Sequence, residues 1–239
     1  MRSHPVTIFS FSGIDGAGKS TQIEQLQRYL QEMGQRVRIY TFWDDVVAFS
    51  KLREGMSLSL FGGERGVGSP ERPIRRRDKN VSSGFVIVFR LLLYALDALQ
   101  LCMVSYRAST ADTDAIIFDR YIYDELANLP VERRLIRLYV RFLLCLIPKP
   151  DIAFVLDAEP EAACTRKPEY PLDFVQRNRE AYLRLAKMAG FTVISAGSIE
   201  QAGAAIRALV SSYFSTTEQP SDLRLECQPS SNSARSTTG

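Results

Sequence analysis

Between Phe9 and Thr21 the chain reads FSFSGIDGAGKST, which sets Gly13, Gly18, Lys19 and Ser20 at the spacing G-x-x-x-x-G-K-S. Glycines at such positions let successive backbone N–H groups turn toward one anion, and a helix starting there adds the positive end of its dipole. Lys19 can then reach β- and γ-phosphates, and the Ser20 hydroxyl suits Mg²⁺. The nucleotide-binding set is thus Gly13, Asp15, Gly16, Ala17, Gly18, Lys19, Ser20 and Thr21. The bland alternative is a glycine-rich strand-to-helix turn with a chance lysine.

Three further groups of residues have chemistry to offer. Asp119-Arg120-Tyr121 closes an apolar run, where Asp119 can hold a Mg²⁺-bound water and Arg120 a second phosphate; a salt-bridged strand end would look the same. The phosphate loop has no basic residue besides Lys19, so charge developing on a transferred phosphoryl group must be met from elsewhere. Arg166 and Lys167 are candidates on a lid, although a solvated pair fits equally. Arg90, Tyr94 and Asp97 lie at i, i+4 and i+7, one helix face. A polar and aromatic stripe in an apolar helix points to a lined cavity, with a buried Arg90–Asp97 salt bridge as the alternative.

The elements that must position these groups alternate. Strands are expected at 6–11, 36–43, 115–118, 152–157 and 191–195, and helices at 19–33, 83–108, 131–147, from Glu159, at 173–189 and at 200–213. Such alternation implies a mainly parallel sheet covered on both faces, a three-layer α/β architecture. Ligands bind such sheets beyond the carboxyl ends of the strands, where Gly13, Asp119 and Asp157 all fall.

Composition limits the remaining options. The chain has 239 residues, 46% of them hydrophobic, with apolar blocks from Val6 to Phe214 and no linker long enough to separate a pair of cores. One domain over 1–214 is expected, followed by a polar, disordered tail over 215–239. A formal net charge of +3 does not call for nucleic acid. The basic cluster at 72–79 is a solvated loop or an anion-attracting flap. Four scattered cysteines without a C-x-x-C pair suit a reducing, cytoplasmic setting. Residues 84–104 have the length of a bilayer span, about 20 residues. Arg90 and Asp97 inside that stretch argue against a membrane and for a long buried helix.

The chain resembles the thymidylate kinases, P-loop nucleoside monophosphate kinases that phosphorylate dTMP. The likeness runs over about residues 6–214 and rests on GIDGAGKST, LLLYALDALQ (91–100), FDRYIYDELA, PDIAFVLDAEPEAACTRK and VISAGSIEQ. It implies the P-loop NTPase fold and transfer from ATP with Mg²⁺ bound through Ser20 and Asp119. It further implies Asp15 near the acceptor sugar, Tyr94 stacking on the base, Arg120 on the acceptor phosphate, and Ala196 and Gly197 near the adenine. Arg90 and Asp97 complete the expected acceptor set; Lys19, Asp119, Arg166 and Lys167 are the expected catalytic groups. Four residues after the stacking aromatic, where the family usually carries a thymine-reading arginine, stands Ala98. The helices at 83–108 and 131–147 offer a homodimer face. A kinase of another small metabolite and an inactive ATP-binding module are the competing readings.

Overall fold

The structure is a computed structural model and describes residues 6–47, 84–195 and 197–217. Its centre is a five-stranded, all-parallel sheet: β1 (Thr7–Ser12), β2 (Val37–Thr41), β3 (Ala115–Asp119), β4 (Ile152–Leu156) and β5 (Thr192–Ile194), in the order β2-β3-β1-β4-β5. Among the described residues, seven α-helices connect and cover the strands: α1 (Lys19–Glu32), α2 (Gly84–Thr110), α3 (Ile122–Leu126), α4 (Arg134–Leu146), α5 (Pro160–Arg166), α6 (Leu172–Ala189) and α7 (Ile199–Thr217). The expected α/β architecture is present.

The two-residue period of the strands divides the core. Phe9 and Phe11 of β1, Ile117 of β3 and Phe154 of β4 pack with Ile23, Leu26 and Leu30 of α1 and with Ile206 and Val210 of α7. Ile116, Phe118 and Val155 face the other layer, built from α2, α3, α4 and α6. The alternate residues of β1 on that side include Ser12, at the strand's carboxyl end, turned toward α3. Because β1 is flanked by β3 and β4, the loop after Ser12 emerges at the point where strand order reverses.

Several boundaries differ from the sequence reading. The second strand stops at Thr41, and Phe42–Val46 form a π-helical turn; the Asp45 carboxylate accepts the Thr41 N–H at 2.7 Å and draws the chain out of the sheet. Helix α3 is an addition, its five residues too short to show a period. Residues 215–217, expected in a disordered tail, continue α7. Phe214 packs edge-on to Phe9 at 6.5 Å, and Tyr213 donates to Asp151 at 2.6 Å, so the last turns are anchored. The basic cluster at 72–79 and residues 218–239 lie outside the described residues.

Helix α2 is not the buried helix its composition suggests. Leu101, Ala98 and Tyr94 pack inward, but Val88, Leu92, Leu99, Met103 and Tyr106 form an apolar outer stripe, with Leu92 62% exposed. By length and composition the helix could cross a membrane, and 28% of its most apolar stretch is buried. Helix α4 beside it also turns Leu135, Leu138, Phe142 and Leu146 outward.

Candidate active site

The phosphate loop is folded as a cradle. Gly13 has φ +136°, and a Cβ there would lie 2.5 Å from the Leu156 carbonyl oxygen; at Gly16, φ +82°, it would lie 2.4 Å from the Ala163 oxygen. Only glycine lets the loop pass this close to β4 and α5. Gly18 caps α1, and Ala17 donates back to the Ile14 carbonyl at 3.2 Å. Lys19 turns back over the loop and donates to the carbonyls of Gly13 and Ile14 at 2.8 and 2.9 Å. Burial, joined by the charge of Arg120, pushes its ammonium down to about 8 against the opposing pull of Asp15, Asp124 and Asp119. Ser20 is exposed and Thr21 half-buried in the first turn of α1.

Arg120 comes to this loop from β3. Its φ is +67°, in the left-handed region that non-glycine residues seldom occupy, and its N–H donates to Phe11 O at 3.0 Å. From there its guanidinium forms an ion pair with Asp15, which also lies 3.9 Å from Lys19. Burial opposes the Asp15 charge, but Arg120, Lys19 and Lys167 outweigh it and its pKa falls below the usual carboxylate value. Asp119 ends β3 in register with Phe11, close enough for its charge to act on Lys19. Ser20 and Asp119 are oxygen donors of the kind Mg²⁺ takes alongside phosphate and water, so these two residues fit that ion.

No family model matches the chain. Individual relatives do. A thymidylate kinase of Bifidobacterium longum subsp. infantis is 30% identical over 212 residues, covering 83% of this chain and 83% of the relative. The chain belongs to the thymidylate kinase family, a family of nucleoside monophosphate kinases. A thymidylate kinase of Chlorobaculum tepidum is 28% identical over 200 residues, with 74% and 83% covered. A probable thymidylate kinase of Archaeoglobus fulgidus is 24% identical over 217 residues, with 87% and 96% covered.

The segments resembling thymidylate kinases do not all converge. P-loop, Asp15, Asp119 and Arg120 meet at the carboxyl ends of β1 and β3. Arg166 and Lys167 end α5; Lys167 is 3.2 Å from Glu169 and its charge reaches Asp15, while Arg166 is exposed. Arg179 is held away from such a role, forked onto Asp157 at 2.6 and 2.9 Å and bonded to Glu159. The predicted stripe on α2 divides. Arg90 lines a cleft of about 260 Å³ with Ile87, Asn128, Arg133, Phe174 and Arg177. Tyr94, Asp97 and Ala98 are buried on the inner side of the helix, Asp97 completely. Gly197 precedes α7, whose start is tied to α1 by the Gln22 amide donating to Ile199 O at 2.9 Å. Ala196 lies outside the described residues.

The sequence reading passed over Asp124. This buried carboxylate accepts from Ser12 Oγ at 2.6 Å, Tyr182 OH at 2.7 Å, and Arg120 Nη1 and Tyr121 N at 3.2 Å. Burial and the adjacent Asp124 push the Tyr182 phenol well above its ordinary pKa. The one available signal was an acid placed i+4 from Arg120, which many surface pairs share.

Proposed function

We propose that the protein transfers the γ-phosphoryl group of ATP to dTMP, with Mg²⁺. The observation that carries this reading is the Arg120–Asp15 contact beside Lys19, which brings an acceptor-side cation against the donor loop. Lys19 and the loop N–H groups hold the donor phosphates. Arg120 exchanges Asp15 for the phosphate of the monophosphate, freeing Asp15 for the sugar hydroxyl. Arg166, with Lys167 in support, neutralises charge on the group in flight. Ser20 and Asp119 would hold Mg²⁺, which supplies charge neutralisation across the phosphates when bound. Ala196 and Gly197 flank the adenine. Tyr94, with Arg90 and Asp97 on the same helix, belongs to the acceptor side.

Base selectivity in this scheme is relaxed. Ala98 offers no donor to the thymine edge, and Arg90 takes over part of that role from the cleft. A site without a buried hydrogen-bonding reader discriminates weakly. Phosphotransfer from ATP to dTMP, dUMP, dCMP and dGMP tests this. Turnover with dTMP, and with at least one other base within about a hundredfold, is expected. Transfer to no monophosphate would favour a different small acceptor, and ATP binding without turnover a regulatory module.

The exposed apolar stripes of α2 and α4 support pairing with a second copy of the chain in the cytoplasm. A solution molar mass equal to one chain would refute that pairing.

A further inference from the structure

We propose that Asp124 is a positioning residue that keeps the Arg120 guanidinium aimed at the acceptor phosphate and links that aim to helix α6. The proposal rests on Arg120 holding that phosphate. Arg120 has two carboxylate partners of different character. Asp15 stands on the P-loop, partly exposed, and must be given up when a phosphate arrives; Asp124 is buried and need not move. It is the partner that can remain through the exchange.

The surroundings of Asp124 suit a fixed anchor. Its Oδ2 accepts from Ser12 Oγ at 2.6 Å and from the Tyr121 N–H at 3.2 Å. Its Oδ1 accepts from Tyr182 OH at 2.7 Å and from Arg120 Nη1 at 3.2 Å. Hydrogen bonds to an ionised acceptor are the strong ones, and four of them fix the carboxylate in both position and rotation. Ser12 is the last residue of β1 before Gly13, so the same carboxylate is tied to the root of the P-loop. Tyr182 lies on α6, the helix that follows the segment carrying Arg166 and Lys167. The left-handed backbone of Arg120 persists only where neighbours hold it, and Asp124 supplies one of those holds.

Steady-state kinetics of the full-length protein with ATP and dTMP, comparing D124N, R120A and the double variant, test the proposal. D124N keeps the volume of the side chain but removes its charge. The KM for dTMP is expected to rise about tenfold or more, the loss of a charged hydrogen bond, with the KM for ATP within about twofold. In the double variant the KM for dTMP should be no higher than in R120A alone, because Asp124 acts through Arg120. Multiplying effects, or equal rises for ATP and dTMP, would make Asp124 a purely structural residue and overturn the proposal. An R120A enzyme that loses dTMP affinity beside a D124N enzyme that keeps it would overturn the positioning role alone. Unchanged dTMP affinity in R120A would overturn the acceptor reading, and the proposal with it. If D124N does not fold, Y182F carries the test: a rise of about threefold confined to dTMP supports the link to α6, and no rise refutes it.

Discussion

The P-loop grips through its backbone, whereas the cleft under α2 is lined by long side chains. Between Gly13 and Ser20 the geometry is set by φ values that only glycine takes easily and by carbonyls a Cβ would strike. In the cleft, Arg90, Phe174 and Arg177 reach in from two helices, α2 and α6, and Arg133 from the residue before α4. A site made of backbone tolerates little change. One made of flexible side chains can shift its preference with few substitutions. Phosphate chemistry is common to every substrate of such an enzyme, while the base is what varies.

That contrast can be broken or sharpened by measurement. Lys19→Ala should lower turnover by about a hundredfold or more, roughly 3 kcal/mol, while the melting temperature holds or rises because a buried ammonium is gone. Turnover within tenfold of the unaltered enzyme would remove the P-loop from the chemistry. Arg166→Ala should reduce kcat about thirtyfold with little change in the KM for ATP, since its charge is needed in the transition state. A rise confined to that KM would make Arg166 a binding residue.

Gly16→Ala should weaken ATP binding about tenfold or more, because the strained loop and the 2.4 Å approach to Ala163 O must both be relieved. Equilibrium binding of an unreactive ATP analogue measures it, and an unchanged Kd would show that the loop is softer than its geometry suggests.

Protonation of Lys19 gives a subtler test. Its pKa in the fold is about 8, against an ordinary 10.5, so the unfolded chain holds the proton more tightly. Lys19 therefore opposes folding below about pH 8, and that penalty fades as pH rises toward 10.5. Phosphate restores the charge, so ATP binding should take up a proton near pH 9 and weaken by up to about tenfold per unit above pH 8. Calorimetry in buffers of different ionisation heat would detect that uptake; its absence would mean Lys19 is already charged. On the acceptor side, Arg90→Ala should raise the KM for dTMP only about three- to fivefold, because a partly exposed charge contributes about 1 kcal/mol. A hundredfold rise would make the cleft as demanding as the P-loop.

Legibility from the sequence follows the same division. The P-loop was readable because its backbone requires particular residue types in consecutive positions. The inner strands β1, β3 and β4 were readable because parallel strands buried on both faces read as near-continuous apolar runs. Phe42 and Trp43 continued the apolar signal past the end of β2, and nothing local announced the turn that Asp45 imposes. The burial of α2 was misjudged because apolar composition does not say whether a neighbour covers it. Asp124 was silent for a different reason. Its partners Ser12 and Tyr182 lie 112 and 58 residues away, and the left-handed Arg120 bears no glycine to mark it.

The central place of β1 in the sheet has a consequence for how the protein is made. Synthesis runs from β1 toward β3 and β4, so the contacts on both sides of the strand come long after it: the Ile8 N–H waits for Asp151, 143 residues on, and Asp15 waits 105 residues for Arg120. At about 5–20 residues per second, that is on the order of ten seconds of exposure for an apolar segment with two open edges. Contacts of such separation close slowly even in the finished chain. The strand is thus made long before it can be completed, and a nascent chain arrested before β4 would carry the full P-loop motif without the sheet that shapes it.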